Sequence, residues 1–406
     1  MKRIVIIGGG PSGVVCALHA KKNNNEVIIL ERNNTLLKKL LMTGNGKCNY
    51  FNDEIILDNY ESSNKDILEN IITNNNIDKV RKFFDEIGIV PKVKNGYWYP
   101  YSNQATTIKE QLELELKNKD IKVYLNSLVK DIKKNNNKYI ISYNDTEIEC
   151  DVVVISTGSK AYPKTGSDGF GYELLKKFNH TIIKPLPALV QLETKDKYKD
   201  WSGVRTDVEL ELFEDDKFVS SEKGELQLTD YGISGICVFN LSNKLVRGLD
   251  EGKKEVIKIN FIPFINIPVT VWLNDYNNKH SNKTIKELLE GFLNNKIVKV
   301  ILKYNNINDN TKYNDLSNED KIKLINSLRF FKVEISSTKG YDNSQICNGG
   351  VSLLEINPNT FESLKEKNLY IIGELLDING NCGGYNLINC WISGILSGTD
   401  IGDNND

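Results

Sequence analysis

The residues best equipped for chemistry lie in glycine-rich turns. Near the start of the chain the apolar run Ile4-Val5-Ile6-Ile7 enters Gly8-Gly9-Gly10-Pro11-Ser12-Gly13. Gly8 permits a tight turn off a strand, Gly10 lets backbone N–H groups approach a pyrophosphate, and Gly13 lets the next helix pack closely on that strand. Glu31 closes the following apolar run, Val27-Ile28-Ile29-Leu30, where its carboxylate can accept hydrogen bonds from both hydroxyls of an adenosine ribose. With a helix predicted from Pro11 to Lys22, its positive dipole end aimed at the phosphates, these parts make a dinucleotide-binding fingerprint.

Two later constellations have related chemistry. Leu41-Met42-Thr43-Gly44-Asn45-Gly46-Lys47-Cys48-Asn49 is a polar loop broken by glycines. Gly44 permits close backbone approach, Asn45 and Asn49 offer donor and acceptor pairs, and Lys47 supplies a cation for a phosphate or a flavin anion. Gly373-Glu374 follows a predicted buried strand, and Gly380-Asn381-Cys382-Gly383-Gly384-Tyr385-Asn386 precedes an apolar helix predicted from Leu387 to Leu396. Paired glycines before a helix start place N–H groups against a ligand, and the dipole favours the negative charge that a reduced flavin develops. An ordinary surface loop is the alternative for the first stretch and a structural turn for the second.

The elements that must position these turns follow from periodicity. A helical stretch is predicted from Asp66 to Gly88 and another from Gln104 to Lys117. Short strands at 122–125, 128–132, 139–143 and 147–150 form a meander, with Asn135-Asn136-Asn137 and Asn144-Asp145 as turns. The buried strand Val152-Val153-Val154-Ile155 ends in Ser156-Thr157-Gly158, so Thr157 and Gly158 face a ligand crevice. Pro185 and Pro187 mark a boundary. Alternating strands then run from 188 to 266, the periodicity is helical over 267–328 with an acidic helix start at Ser317, and the chain returns to the nucleotide-binding part near 336. The expected domains are therefore 1–187 with 336–406, 188–266 with 329–335, and 267–328.

Composition narrows the class. With 406 residues, 40% apolar, 26% charged and a net charge of −2, the chain has the make-up of an ordinary globular protein and lacks a nucleic-acid clamp over its whole surface. No apolar run reaches membrane-spanning length, and Met1-Lys2-Arg3 leads directly into the first strand, which reads as neither signal peptide nor anchor. Seven cysteines without a CxxC pair suit a reducing cytoplasm, and three histidines without a ligand spacing argue against a metal site. His19 reads as helix surface, His180 and His280 as loop polarity.

Taken together the motifs resemble a family. Gly8-x-Gly10-x-x-Gly13, Thr43 through Asn49, Tyr99-Pro100-Tyr101-Ser102, Tyr162-Pro163-Lys164-Thr165-Gly166, Gly232-Ile233-Ser234-Gly235, Gly349-Gly350-Val351 and Gly373-Glu374 through Asn386 occur in the order seen in the BaiN/RdsA-like flavoproteins, also called YhiN-like or aminoacetone-oxidase-like. The resemblance implies an α/β protein: an FAD-binding Rossmann-like domain of the two-dinucleotide-binding type, with an inserted β-barrel-like domain and a helical subdomain. By position it implies Gly8, Gly10, Ser12 and Gly13 at the pyrophosphate, Glu31 with Arg32 at the adenosine ribose and Val129 at the adenine. It places Gly373 and Glu374 at the ribityl chain, and Gly384, Tyr385, Asn386 and Leu387 at the isoalloxazine. Asp230 departs from a His that the resemblance leads one to expect.

The family's names point to reduction of a steroid double bond, oxidation of an aminoketone, and reduction of a ribosomal RNA uridine to dihydrouridine. The first and third share one chemistry, hydride attack on an electron-poor C=C with protonation of the neighbouring carbon, which needs a placed acid. Cys48, Cys382 and Tyr385 are the candidates, with Cys347 behind them. Residues 279–303 hold six lysines against two glutamates, a net charge of +4 in a predicted helical insertion that could bind phosphates, and the resemblance tips the expectation to a uridine of 23S ribosomal RNA. Solvated surface lysine is the alternative. A small-molecule reductase or oxidase and a non-catalytic flavin-holding sensor stay open, the latter because no second GxGxxG marks a site for the expected donor, NADPH or NADH.

Overall fold

In the computed structural model, which describes residues 2–22 and 24–403, the apolar run Arg3–Ile7 is the middle strand of a five-stranded parallel sheet. The order is Leu369–Ile371, Val152–Ile155, Arg3–Ile7, Glu26–Leu30, Lys122–Tyr124. Ile6 lies opposite Val154 on one side and Ile29 on the other, and all three are fully buried. A parallel strand covered on both faces reads as an unbroken apolar run, which is why these strands are legible. Truncating one such side chain, Ile6→Ala, is worth about 2–5 kcal/mol.

This sheet belongs to a unit made of residues 1–187 and 344–406; residues 188–343 form a second unit. In the first unit, two of the expected elements change. Lys122–Tyr124 pairs with Glu26–Leu30 in the parallel sheet, so the meander has three strands: Val129–Asn135, Lys138–Tyr143 and Thr146–Cys150. The long helix expected from 66 to 88 is two, Lys65–Ile71 and Asn74–Glu86, because the Thr73 hydroxyl accepts from the Asn76 N–H at 3.2 Å and starts a new helix.

The helix after the glycine turn, Pro11–Ala20, packs on the long last helix, Tyr385–Asp403. Gly394, Gly398 and Gly402 face it: a Cβ on each would stand 2.6, 2.4 and 2.8 Å from the carbonyl oxygens of Ser12, Cys16 and His19. Their four-residue spacing puts them on one helix face, where the missing side chains let the two backbones touch. His19 is accordingly not a surface residue. It is half-buried, with Nδ1 2.9 Å from the Val15 carbonyl and its ring 5.3 Å from that of Phe83.

His180 also departs from the expected loop polarity. It is buried between Glu355, 3.0 Å from Nδ1, and Ser363, whose Oγ lies 2.9 Å from Nε2. The row has the spacing of a hydrolytic triad but not its function. Ser363 Oγ already accepts the backbone N–H groups of Lys365 and Glu366 at 3.1 and 3.0 Å, so both lone pairs are engaged and the serine closes a turn.

The second unit is a closed six-stranded barrel in the order Leu192–Thr194, Gly232–Ser234, Lys217–Leu228, Arg205–Glu214, Glu255–Asn260, Phe331–Thr338. The helices Val269–Lys279, Ile285–Leu289, Asn295–Tyr304 and Asn318–Arg329 are inserted between its last two strands. Ser317 caps the last of these by accepting the Asp320 N–H at 3.1 Å. The unit extends to 343 and not to the expected 335, because Thr338 still pairs with Leu192 in the barrel. Glu255, 1% exposed, faces Glu214 across the strands, and neither Glu255 oxygen has a hydrogen-bond partner. The two carboxylates meet over Gly248, where a Cβ would lie 2.1 Å from one and 2.4 Å from the other. Burial, then the Glu214 charge, pushes the Glu255 carboxyl up to about 8.

Candidate functional site

The first glycine turn separates glycines that serve packing from one that serves a ligand. A Cβ on Gly8 would lie 2.5 Å from the Ser156 carbonyl oxygen, and one on Gly13 only 2.1 Å from that of Gly8. Around Gly10 nothing lies within 4 Å of that position, so its outer face is open. Val14 N–H is the first to reach back into the helix, to the Gly10 carbonyl at 3.0 Å, and the first turn carries no acidic residue. An open glycine at an uncapped helix start suits a pyrophosphate.

Glu31 is buried and held: Oε2 accepts the Gly9 N–H at 2.8 Å, and Oε1 accepts the Asn33 N–H and side-chain amide at 2.7 Å each. Three of a carboxylate's roughly four acceptor positions are therefore used. In this arrangement one acceptor position of Glu31 stays open, where the expectation of both ribose hydroxyls calls for two. Arg32 turns away to Asp168, 2.5 Å distant, and to the Gly166 carbonyl. Residues 124–127 are seamed to this edge by Glu31 N–H to Tyr124 O at 2.9 Å and Ser127 N–H to Glu31 O at 2.8 Å, which brings buried Val129 just beyond it. Gly158 takes φ +75°, while the Thr157 hydroxyl is buried without a partner and lies 2.0 Å from where a Gly171 Cβ would be, turned away from the crevice.

At the other end, Gly373 has φ +72° and donates its N–H to Ser393 Oγ at 3.0 Å; a Cβ there would lie 2.4 Å from Ser12 Oγ. Glu374 Oε2 accepts from Lys39 Nζ at 2.5 Å and from Ser159 Oγ at 3.3 Å, leaving Oε1 without a partner among the described residues. Both members of the ion pair are about four-fifths buried, with side-chain exposures of 22% and 19%. One oxygen is thus fixed by protein donors and the other is left to accept from a hydroxylated ligand.

Gly383 and Gly384 both take left-handed φ, +130° and +93°, and a Cβ on the first would meet the Tyr97 ring at 2.8 Å. Asn52 donates to the Gly383 carbonyl at 2.9 Å, and the Asn49 amide, oriented to satisfy its neighbours, donates to Phe51 O at 2.9 Å and Trp98 O at 3.1 Å. The last helix makes its first backbone bond from Ile388 N–H to Gly384 O, so the N–H groups of Tyr385, Asn386 and Leu387 have no acceptor within the helix. Asn386 contributes backbone only. Its amide is closed on Gly380, accepting from N–H and donating to C=O at 2.8 Å each.

The proposed acids fare differently. Cys48 is fully buried at φ +56°, and burial pushes its thiol up to about 12. Tyr385 donates its hydroxyl proton to the Glu54 carbonyl at 2.9 Å while accepting from Asn59 at 2.8 Å, and burial, with Tyr97 and Glu54 nearby, pushes it up to about 12. Buried Cys347 is pushed up to about 11 by burial. Cys382 alone of the four is partly exposed, beside Gly383. In the Thr43–Asn49 loop, Gly44, Asn45, Gly46 and Lys47 are exposed and held in shape by left-handed φ at Gly44, Asn45, Gly46 and Cys48.

Lys39, Asn33 and Tyr97 belong to the site and were not among the expected residues. Lys39 meets an acid 335 positions away, which no local spacing shows. Tyr97 had a signal, its alternation with Tyr99, which lies in one of the motifs that carry the resemblance.

Comparisons with known proteins give the family. The family described as HI0933-like protein Rossmann domain matches residues 2–400. The chain is 36% identical over 402 residues to 3-dehydro-bile acid delta(4,6)-reductase of Clostridium scindens, covering 98% of each. It is 26% identical over 406 residues to ribosomal RNA dihydrouridine synthase of Escherichia coli, covering 98% of this chain and 97% of that one. The protein of the same name from Haemophilus influenzae is 26% identical over 399 residues, 96% of each. A parallel Rossmann sheet, an open glycine turn and a buried acid just after the second strand define a dinucleotide-binding domain, and the family match makes it that of an FAD-dependent oxidoreductase. More closely, the chain belongs to the HI0933-like family, the group that the motifs resembled.

Proposed function

We propose that the protein is an FAD-dependent reductase of a conjugated C=C bond in a small enone, drawing electrons from NADH or NADPH. The observation that carries this reading is the 36% identity, over 98% of both chains, to a relative named as a delta(4,6)-reductase of a bile acid. Bound FAD supplies the hydride. Gly10 and the N–H groups of Ser12 and Gly13 receive the pyrophosphate, Glu31 and the backbone at Val129 the adenosine, and Glu374 Oε1 the ribityl chain. The N–H groups of Tyr385, Asn386 and Leu387 stabilise negative charge on the ring at the helix start. The Cys382 thiol, partly exposed beside this turn, delivers the proton to the carbon next to the one that accepts hydride.

Reduction of a ribosomal RNA uridine is the second reading, favoured by the full-length match to two dihydrouridine synthases. It ranks second because the basic segment is largely neutralised. Lys279 pairs with Asp275 at 2.7 Å, Lys286 with Asp309 at 3.3 Å, and Lys299 and Lys303 with Asp200 at 2.9 and 3.7 Å. Paired lysines release few counterions on meeting a phosphate backbone.

The test is anaerobic turnover by the FAD-loaded protein. Loss of a steroid 4-en-3-one's absorbance, matched one-to-one by NADH or NADPH oxidation, is the expected result. No turnover of any free enone, together with loss of one dihydrouridine from the rRNA of a deletion strain, would move the function to RNA. Flavin that stays oxidised with both nucleotides would leave a sensor.

A further inference from the structure

The strands Pro91–Lys94 and Tyr97–Pro100 form a hairpin at the edge of a three-stranded sheet whose third strand is Phe51–Asn52. Its register sets Lys92 opposite Tyr99 and Lys94 opposite Tyr97, and residues directly opposed in an antiparallel pair point to the same face. That face is the one turned to the flavin-binding turns. Tyr97 lies against Gly383, and Tyr99 lies 3.7 Å from where a Gly44 Cβ would be, at the turn that also carries Lys47.

Lys47, Lys92 and Lys94 are exposed, and among the described residues their ammonium groups make no ion pair or hydrogen bond. Elsewhere in this unit the pattern is the reverse: Lys122, Lys134, Lys138, Lys176 and Lys177 each sit 2.5–2.8 Å from a carboxylate. Asp53, which neighbours Asn52 on the third strand, is already engaged by Trp98 Nε1 at 2.9 Å and by Arg81 at 3.8 Å. The hairpin thus offers two tyrosine rings and unneutralised positive charge on one surface, beside the turn where the flavin ring is read.

We infer that this hairpin face is the substrate-recognition surface, and that it takes a flat apolar small molecule ending in a carboxylate, with Tyr97 and Tyr99 against the skeleton and Lys92 and Lys94 at the anion. The inference rests on the enone-reductase reading and narrows its substrate to an acid. An edge strand also carries lysine simply to block strand-to-strand aggregation, and that role gives no preference between an acid and its ester.

The experiment compares a steroid enone bearing a side-chain carboxylate with its methyl ester on the FAD-loaded protein. Binding is followed by perturbation of the flavin absorbance, and turnover separately. Wild type should bind the acid about tenfold more tightly than the ester, with the advantage shrinking as salt rises, as expected for two partly exposed charge contacts. In the double variant Lys92→Ala/Lys94→Ala the acid-to-ester ratio should fall to near one, and in Lys92→Glu/Lys94→Glu it should invert. A ratio near one in wild type, or one unmoved by either variant, overturns the inference whether or not the ligands are reduced. Binding with the expected ratio but no reduction of either compound leaves the surface assigned and sinks the reductase reading. An oligoribonucleotide that binds through the same lysines while the acid does not bind overturns the inference in favour of RNA.

Discussion

At the level of single residues, the glycines of the first turn divide by what a methyl group would meet. Gly10 has ordinary extended dihedrals, φ −78° and ψ −177°, and open space beside it. Gly10→Ala should leave the apoprotein as stable as wild type, or stabler by about 0.4–1 kcal/mol, while the flavin-to-protein ratio after purification collapses. Gly13→Ala should instead cost about 1–3 kcal/mol, because the methyl would drive into the Gly8 carbonyl. Thermal melts of the apo forms and flavin absorbance of the purified proteins separate the two. Lys39→Met removes the donor that fixes Glu374 Oε2, and FAD should then bind about tenfold more weakly, with Lys39→Arg retaining most of the affinity. Equilibrium dialysis of FAD checks it. A residue's placement was legible where its cause was local. Gly8, Gly10, Gly13 and Glu31 announce themselves within one βαβ unit, but the Lys39–Glu374 pair and the engagement of the Tyr385 hydroxyl by Glu54 and Asn59 exist only after the fold has closed.

Among the elements, strands were the most readable where both faces are buried, and boundaries the least where a neighbour decides them. Val152–Ile155 falls where its apolar run predicts, whereas Lys122–Tyr124 left the meander because the parallel edge of Glu26–Leu30 was available to pair with it. The turn after Ile356 shows the same dependence. Its anchor is His180, far away in sequence, whose proton uptake is opposed by burial although the Glu355 carboxylate favours it. Because the folded His180 sits below its ordinary value of 6.5, its neutral form contributes stability that is lost as pH falls below about 6.5. Ser363→Ala leaves Nε2 buried without a partner and should cost about 1–3 kcal/mol, seen as a lower urea midpoint at pH 7.5 and not as any loss of hydrolytic activity.

For the whole molecule, the prolines at 185 and 187 and the switch to alternating strands mark a boundary that coincides with the break after 187, whereas the helices expected to stand apart as 267–328 belong to the barrel's unit, and the barrel strand Phe331–Thr338 runs past 335. The barrel unit also carries a pH liability that composition hides. Glu255 keeps its proton in the folded chain up to about pH 8, while the unfolded chain has lost it by about 4.5. Its contribution is therefore full below pH 4.5 and declines as pH rises toward 8, and Glu255→Gln should flatten that decline and raise Tm by about 2–4 °C at pH 8 for each kcal/mol recovered. Melts of the full chain across pH 5–9 decide it; an unchanged slope in the variant would place the sensitivity elsewhere.

The glycine face joining Pro11–Ala20 to Tyr385–Asp403 has a temporal consequence. On a ribosome adding about 5–20 residues per second, the helix at the cofactor's phosphate end emerges some 20–70 s before the helix that packs on it and before Leu369–Ile371 completes the sheet edge. For that interval the nascent chain presents a pyrophosphate turn with no partner for its helix and no ring site at all. With the flavin ring held at the start of the last helix as proposed above, cofactor capture is expected late in biosynthesis, and a chain stalled before residue 385 is expected to carry no FAD.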